Sequence, residues 1–183
     1  DDLSIKSLAL DHTVSCVGYS IYVARARKFD PIKAKANNIP VTLWSKLQKG
    51  ETVEQDGITY HPDMVWGESR QGLKLSYFTD TRPFDGLIEF VKDSDLLIAE
   101  GMYAEDNEID KAIKNKHMLF SEAATIARDA NVKELWLTHF SPSLSNPEDY
   151  IENASSIFSN TVIGSDRLTK KLTFPQNSWK EYL

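Results

Sequence analysis

The chain has 183 residues, 41% hydrophobic and 26% charged, with a net charge of −6. It is large enough for one ordinary domain with a real core, and its acidic balance does not mark a nucleic-acid binder by global charge. Its one cysteine, Cys16, excludes a disulfide framework and cysteine-rich zinc modules, so any metal has to be held by His, Asp and Glu.

A cytoplasmic setting is the default expectation for such a composition. No apolar run approaches a membrane span, and no signal peptide is visible. A start at Asp1, almost directly in a strand, is what a fragment of a longer chain is expected to show.

In chain order, residues 4–10 and 15–24 read as two strands joined by a turn at Asp11-His12-Thr13. Val17, Tyr19, Ile21 and Val23 alternate with the period of a half-buried strand, and Gly18 marks a bulge or a close backbone approach. Asp30-Pro31 starts a short lysine-rich helix, a second helix covers 41–49 and stops at Gly50, and Asp56-Gly57 predicts a hairpin. Residues 25–70 therefore form a polar insertion with scattered apolar residues. Arg25, Arg27, Lys28, Lys33 and Lys35 make its start basic; by itself such a run is a solvated face.

The core pattern resumes at Leu73, Leu75 and Tyr77 and ends in Thr79-Asp80-Thr81. A helix over 85–92 turns Leu87, Ile88 and Val91 inward. Residues 96–99 are a buried strand ending at Glu100, and Ser121 caps a helix running to Ala130. The strand 134–138 delivers His139. Asn146-Pro147 starts a last long helix, and short strands at 161–164 and 169–174 close the chain. Alternating strands and helices imply an α/β layered core.

One histidine at a strand exit is usually structural. Here His12, Asp80, Glu100 and His139 all sit at strand exits, where α/β proteins place their sites. Two imidazoles and carboxylates in such positions suit a borderline metal such as zinc.

"LALDHTVSCVGYSI", "LSYFTDTRP", "DLLIAEGMY", "NKHMLFSEAATIA" and "ELWLTHFSPS" resemble, in order, motifs from the second half of the ribonuclease Z family, tRNA 3′-end processing endonucleases of the metallo-β-lactamase superfamily. The resemblance implies the second αβ half of a four-layer αββα sandwich, spanning 1–183, with residues 25–70 as a projecting arm that grips tRNA. It implies a site of two Zn2+ ions with His12, Asp80 and His139 as ligands. Asp80 would bridge the metals, and His117, paired with Glu100, would assist the phosphate chemistry. It also implies precursor tRNA as substrate, a homodimer, and a preceding half carrying a His-x-His-x-Asp-His cluster that is absent here. The chain departs from the usual His-Glu-Ala-Thr at Ala99-Glu100-Gly101-Met102, and from the usual His-Ser-Thr at His117-Met118-Leu119.

Three functions follow as expectations. The first is removal of 3′ trailers from precursor tRNA, with the isolated chain inactive. The second is hydrolysis of a small phosphodiester or ester by a related enzyme, and the third is a non-catalytic binding piece.

Overall fold

The computed structural model describes residues 2–175. It divides into two compact units, one of Leu3–Val23 and Leu73–Thr173, the other of Ala24–Gly72 with Asp2 and residues 174–175. Among the described residues no helix is long and apolar enough to cross a membrane.

The strands are β1 (Leu3–Ala9), β2 (Val17–Arg25), β3 (Val53–Gln55), β4 (Ile58–Tyr60), β5 (Arg70–Tyr77), β6 (Leu96–Glu100), β7 (Leu135–Thr138) and β8 (Thr161–Ile163). The helices are α1 (Pro31–Ala36), α2 (Trp44–Gln48), α3 (Leu87–Val91), α4 (Ile109–Asn115), α5 (Phe120–Asp129) and α6 (Glu152–Ser155). Six strands form one sheet in the order β1-β2-β5-β6-β7-β8. β1 and β2 are an antiparallel pair, whereas β5, β6, β7 and β8 run parallel. Parallel neighbours need crossovers, and the helices of the first unit lie in those connections.

The first unit's core gathers Leu97, Ala99, Leu135 and Leu137 from the strands with Leu87, Val91, Phe120, Ala123, Ala124 and Ala127 from the helices. Three alanines in α5 allow a close approach to the sheet. Gly18 does the same in β2: an added Cβ would stand 3.2 Å from Phe78 Cβ and 3.3 Å from Leu10. The expected close approach is thus present, and Leu8 pairs with Gly18 in an unbroken register.

Some expectations are corrected. The alternation of Val17, Tyr19, Ile21 and Val23 is real, yet the buried residues of β2 are Gly18 and Ser20. In β5, likewise, Gly72 and Ser76 are buried while Tyr77 is exposed. Ile88 is exposed, while Leu87 and Val91 of α3 are buried and Phe90 packs against the core. Leu119, not Ser121, occupies the N-cap of α5; the Ser121 hydroxyl instead donates to Asp106 at 2.5 Å. The long helix after Asn146 is a 3₁₀ turn, Pro147–Tyr150, followed by the four residues of α6. Residues 169–174 are not a strand.

The second unit has its own core. Ala34, Ile39, Leu43, Leu47 and Val65 are buried, with Phe29, Trp44, Val53, Tyr60, Met64 and Trp66 packed around them. The apolar residues that looked scattered therefore converge once the chain folds back on itself. Asp30 caps α1 as expected, its carboxylate accepting from Ile32 N at 3.0 Å and Lys33 N at 2.9 Å. β3 and β4 form the hairpin around Asp56-Gly57.

Candidate metal centre

The site residues come from four loops of the first unit. His12 lies in the turn between β1 and β2. Asp80 follows β5, Glu100 ends β6, and His139 follows β7. Because β5, β6 and β7 are parallel, their exits fall on one edge of the sheet. His117 arrives from the turn between α4 and α5. Asp80, His139 and Lys116 all have positive φ, at 49°, 56° and 57°. Such backbone costs energy for residues with a Cβ and recurs where a chain must turn sharply at a site.

The side chains converge on the Asp80 carboxylate. Its Oδ1 lies 3.0 Å from His139 Nε2, 4.0 Å from His12 Nε2 and 4.0 Å from His117 Nδ1. The His12 and His117 rings are 4.9 Å apart, and those of His117 and His139 are 5.6 Å apart. Ligating atoms of His12, Asp80 and His117 all lie within 4.8 Å of one another. All five residues singled out in the sequence are thus in one place. His117, expected as a catalytic group, stands with His12 and Asp80 in a set of three whose atoms are close enough to share a metal ion.

Nitrogen and carboxylate donors in this arrangement fit a divalent metal. His12 Nδ1 faces the Lys116 carbonyl at 3.0 Å. A carbonyl only accepts, so Nδ1 carries the proton and Nε2 presents its lone pair towards Asp80. This backbone anchoring of the outer ring nitrogen is what metal-binding histidines characteristically show.

Glu100 is fully buried. Its Oε1 accepts from Thr81 N at 2.6 Å, and its Oε2 accepts from Met118 N at 3.1 Å and stands 3.0 Å from His117 Nδ1. Burial, opposed by these backbone N–H groups and reinforced by Asp80, pushes its carboxyl up to about 8. Burial, then the neighbouring His12 and His139, holds His117 below its ordinary value. Both shifts favour neutral groups, with one proton between Oε2 and Nδ1 when no metal is bound.

Other residues, not singled out in the sequence, hold the loops together. Asp11 N donates to Thr81 Oγ1 at 3.1 Å, and Arg82 N donates to the Asp11 carbonyl at 3.0 Å. The Arg82 guanidinium grips both oxygens of Glu122. Lys116 Nζ donates to Asp11 at 2.6 Å. Arg82 lies inside the Thr-Asp-Thr-Arg-Pro motif, but no spacing rule pointed to Glu122, forty residues away.

The β-lactamase superfamily domain model matches residues 66–140. The chain is 54% identical to ribonuclease Z of Clostridium acetobutylicum over 177 residues, covering 97% of this chain and 57% of that protein. It is 57% identical to ribonuclease Z of Clostridium kluyveri over 173 residues, covering 94% and 57%. The chain thus spans a little over half the length of these curated relatives. Among solved structures, a metallo-β-lactamase fold protein of Bacillus subtilis, YhfI, superposes with a TM-score of 0.55 at 22% identity, over 88% of this chain and 46% of that one. The short form of human tRNase Z superposes with a TM-score of 0.54 at 20% identity, over 96% and 45%. The chain has the α/β architecture of the metallo-β-lactamase fold over the part it shares with them.

Proposed function

We propose that this chain carries part of the active site of a zinc-dependent endoribonuclease that removes 3′ trailers from precursor tRNA. The observation that carries the reading is the convergence of His12, His117 and His139 on Asp80, with buried Glu100 behind His117. Similarity to ribonuclease Z relatives along nearly the whole chain supports the same substrate.

In this reading His12, Asp80 and His139 would be the residues of this chain that hold the two zinc ions. Further ligands come from a segment outside this sequence, the amino-terminal half of the protein. Bound zinc supplies Lewis acidity that activates water and neutralises charge on the phosphodiester. In the reaction the water oxygen bonds to phosphorus and releases a proton to solvent, the P–O3′ bond breaks, and the 3′ oxygen takes up a proton. His117 supplies that proton from its imidazole. Glu100 holds the ring by Nδ1 and restores the proton afterwards, a role suited to a carboxyl held near neutrality.

The second unit is the tRNA-gripping arm. Residues 24–72 carry eight Lys and Arg against six Asp and Glu, in a chain that is acidic as a whole. A net positive unit favours phosphate backbone contacts. The reading carries with it a cytoplasmic enzyme, consistent with the single cysteine, and a homodimer.

The deciding experiment uses the full-length protein on a precursor tRNA with a 3′ trailer and on a small chromogenic phosphodiester. Cleavage at the trailer junction, abolished by Asp80→Ala and by chelation, is expected. Turnover of the small ester with no cleavage of the tRNA overturns the substrate. Metal analysis sorts the histidines: His139→Ala loses metal, and His117→Ala keeps it while kcat falls. Loss of metal in His117→Ala would make that residue a ligand.

A further inference from the structure

We propose that Arg82 is a positioning residue that locks three loops of the metal site into one frame, with Glu122 as its anchor. The inference rests on the metal-site reading above. Arg82 stands two residues after Asp80, so its own backbone belongs to the loop that carries the central carboxylate.

From there it reaches the other two loops. Its backbone N–H donates to the carbonyl of Asp11, the residue before His12, at 3.0 Å. Its guanidinium donates to the carbonyl of His117 at 2.7 Å. The same group meets Glu122 through two bonds, Nη1 to Oε2 at 2.7 Å and Nη2 to Oε1 at 2.5 Å. Glu122 in turn accepts from Leu119 N at 3.0 Å. The anchor is therefore the first turn of α5, the longest helix among the described residues.

The consequence for the metal site is geometric. The His12 ring takes its orientation from the Lys116 carbonyl, one residue before the carbonyl that Arg82 holds. Movement of the 116–119 turn would therefore rotate His12 and displace His117 together. Arg82 and Glu122 are both mostly buried, with side chains 16% and 21% exposed, so solvent competes weakly for these bonds. A planar fork is needed to meet two carboxylate oxygens and a carbonyl at once; a lysine ammonium lacks it.

A purely structural ion pair would also cost stability when cut. The distinguishing measurement is metal affinity by chelator competition in the full-length protein, on Arg82→Ala and Arg82→Lys, beside thermal melting. Both variants are expected to bind zinc about 10–100-fold more weakly, the usual cost of removing a group that orients metal ligands. Their kcat should fall while KM for tRNA stays unchanged. Millimolar guanidinium, but not methylammonium, should restore zinc affinity to Arg82→Ala. Should Arg82→Ala not fold, Arg82→Lys retains the charge and the test. Wild-type zinc affinity in folded Arg82→Lys, or equal rescue by the two cations, overturns the proposal. His139→Ala is the control: if it also keeps zinc, the metal-site reading fails first.

Discussion

Glu100 links the chemistry of the site to folding. Its carboxyl stands at about 8 in the folded chain against an ordinary value of 4.5. The folded state therefore keeps a proton that the unfolded state has released. Its contribution to stability is fully present below about 4.5 and is lost as pH rises through about 8, at roughly 1.4 kcal/mol per unit of separation. His117 is shifted down, so its contribution has the opposite sign and fades above its ordinary 6.5. Between pH 6.5 and 8 the metal-free protein should lose stability with rising pH, and Glu100→Gln should flatten that slope. The substitution should also lower stability throughout, because a carboxamide cannot accept from both Thr81 N and Met118 N as the carboxyl does. Melting temperatures of metal-free protein across this range decide it; an equal slope in the variant would refute the assignment.

The neighbouring Gly101 stands where the motif that the chain resembles usually has alanine. An added Cβ would come within 2.8 and 2.9 Å of the buried Phe120 ring. Glycine here and phenylalanine at 120 are a matched pair. Gly101→Ala should cost about 1–3 kcal/mol by overpacking, and Phe120→Leu in the same chain should relieve part of it. Equilibrium denaturation of the single and double variants gives the coupling. That His12, Asp80, Glu100 and His139 would meet was legible because they are polar residues repeated at strand exits, whereas His117, in a turn between helices, came only with the family resemblance. Their geometry was not, since Thr81, Arg82, Lys116 and Glu122 act through contacts of long sequence separation. The positive φ of Asp80 and His139 also leaves no mark in residue type.

At the scale of elements, β6 and β7 were legible as short apolar runs, and Asp30-Pro31 and Asp56-Gly57 as local signals that need no partner. The errors have physical causes. Alternation in β2 and β5 reports a period of two but not which side the helices cover. Helical spacing from Tyr150 to Phe158 comes from residues packed on the core around a 3₁₀ turn and a single α-helical turn. Ser121 had a cap residue's chemistry, but Leu119 N–H already finds Glu122. Between elements, Asp95 is a seam. Its carboxylate accepts from Lys74 N in β5 at 2.7 Å and from the Lys133 ammonium before β7 at 2.5 Å. Asp95→Ala should cost about 1–3 kcal/mol by leaving a part-buried N–H without its partner. Asp95→Asn should recover part of that, as read by urea titration. No difference between the two would mean that the carboxylate's hydrogen bond contributes nothing.

For the whole molecule, the second unit offers a clean excision. Lys28 N donates to the Glu68 carbonyl at 3.1 Å, and Gly67 N donates to the Lys28 carbonyl at 2.8 Å. The chain enters and leaves the unit side by side. Replacing residues 29–66 with a short turn in the full-length protein should weaken tRNA binding at least tenfold. Hydrolysis of a small phosphodiester should remain near wild type. A parallel loss of both activities would place the unit in the catalytic fold rather than in substrate recognition.

The sheet of the first unit has one more property. Leu3, Ile5, Val17, Tyr19 and Tyr77 are exposed. The β1–β2 register places Leu3, Ile5, Val17 and Tyr19 on one face, opposite the face that carries Gly18 and Ser20. Tyr77 joins them, because Ser76, its neighbour in β5, bonds Ser20 on the other side. Water against so much apolar surface makes self-association a mass-action competitor of the monomer. For this 183-residue chain on its own, the melting temperature should therefore rise with protein concentration, and sedimentation should show a distribution that shifts with dilution. Ile5→Lys and Tyr19→Lys together should abolish both effects. A concentration-independent melt of a monomer would mean the face is stable in water as it stands. Any stability quoted for the chain is otherwise a property of the solution as much as of the fold.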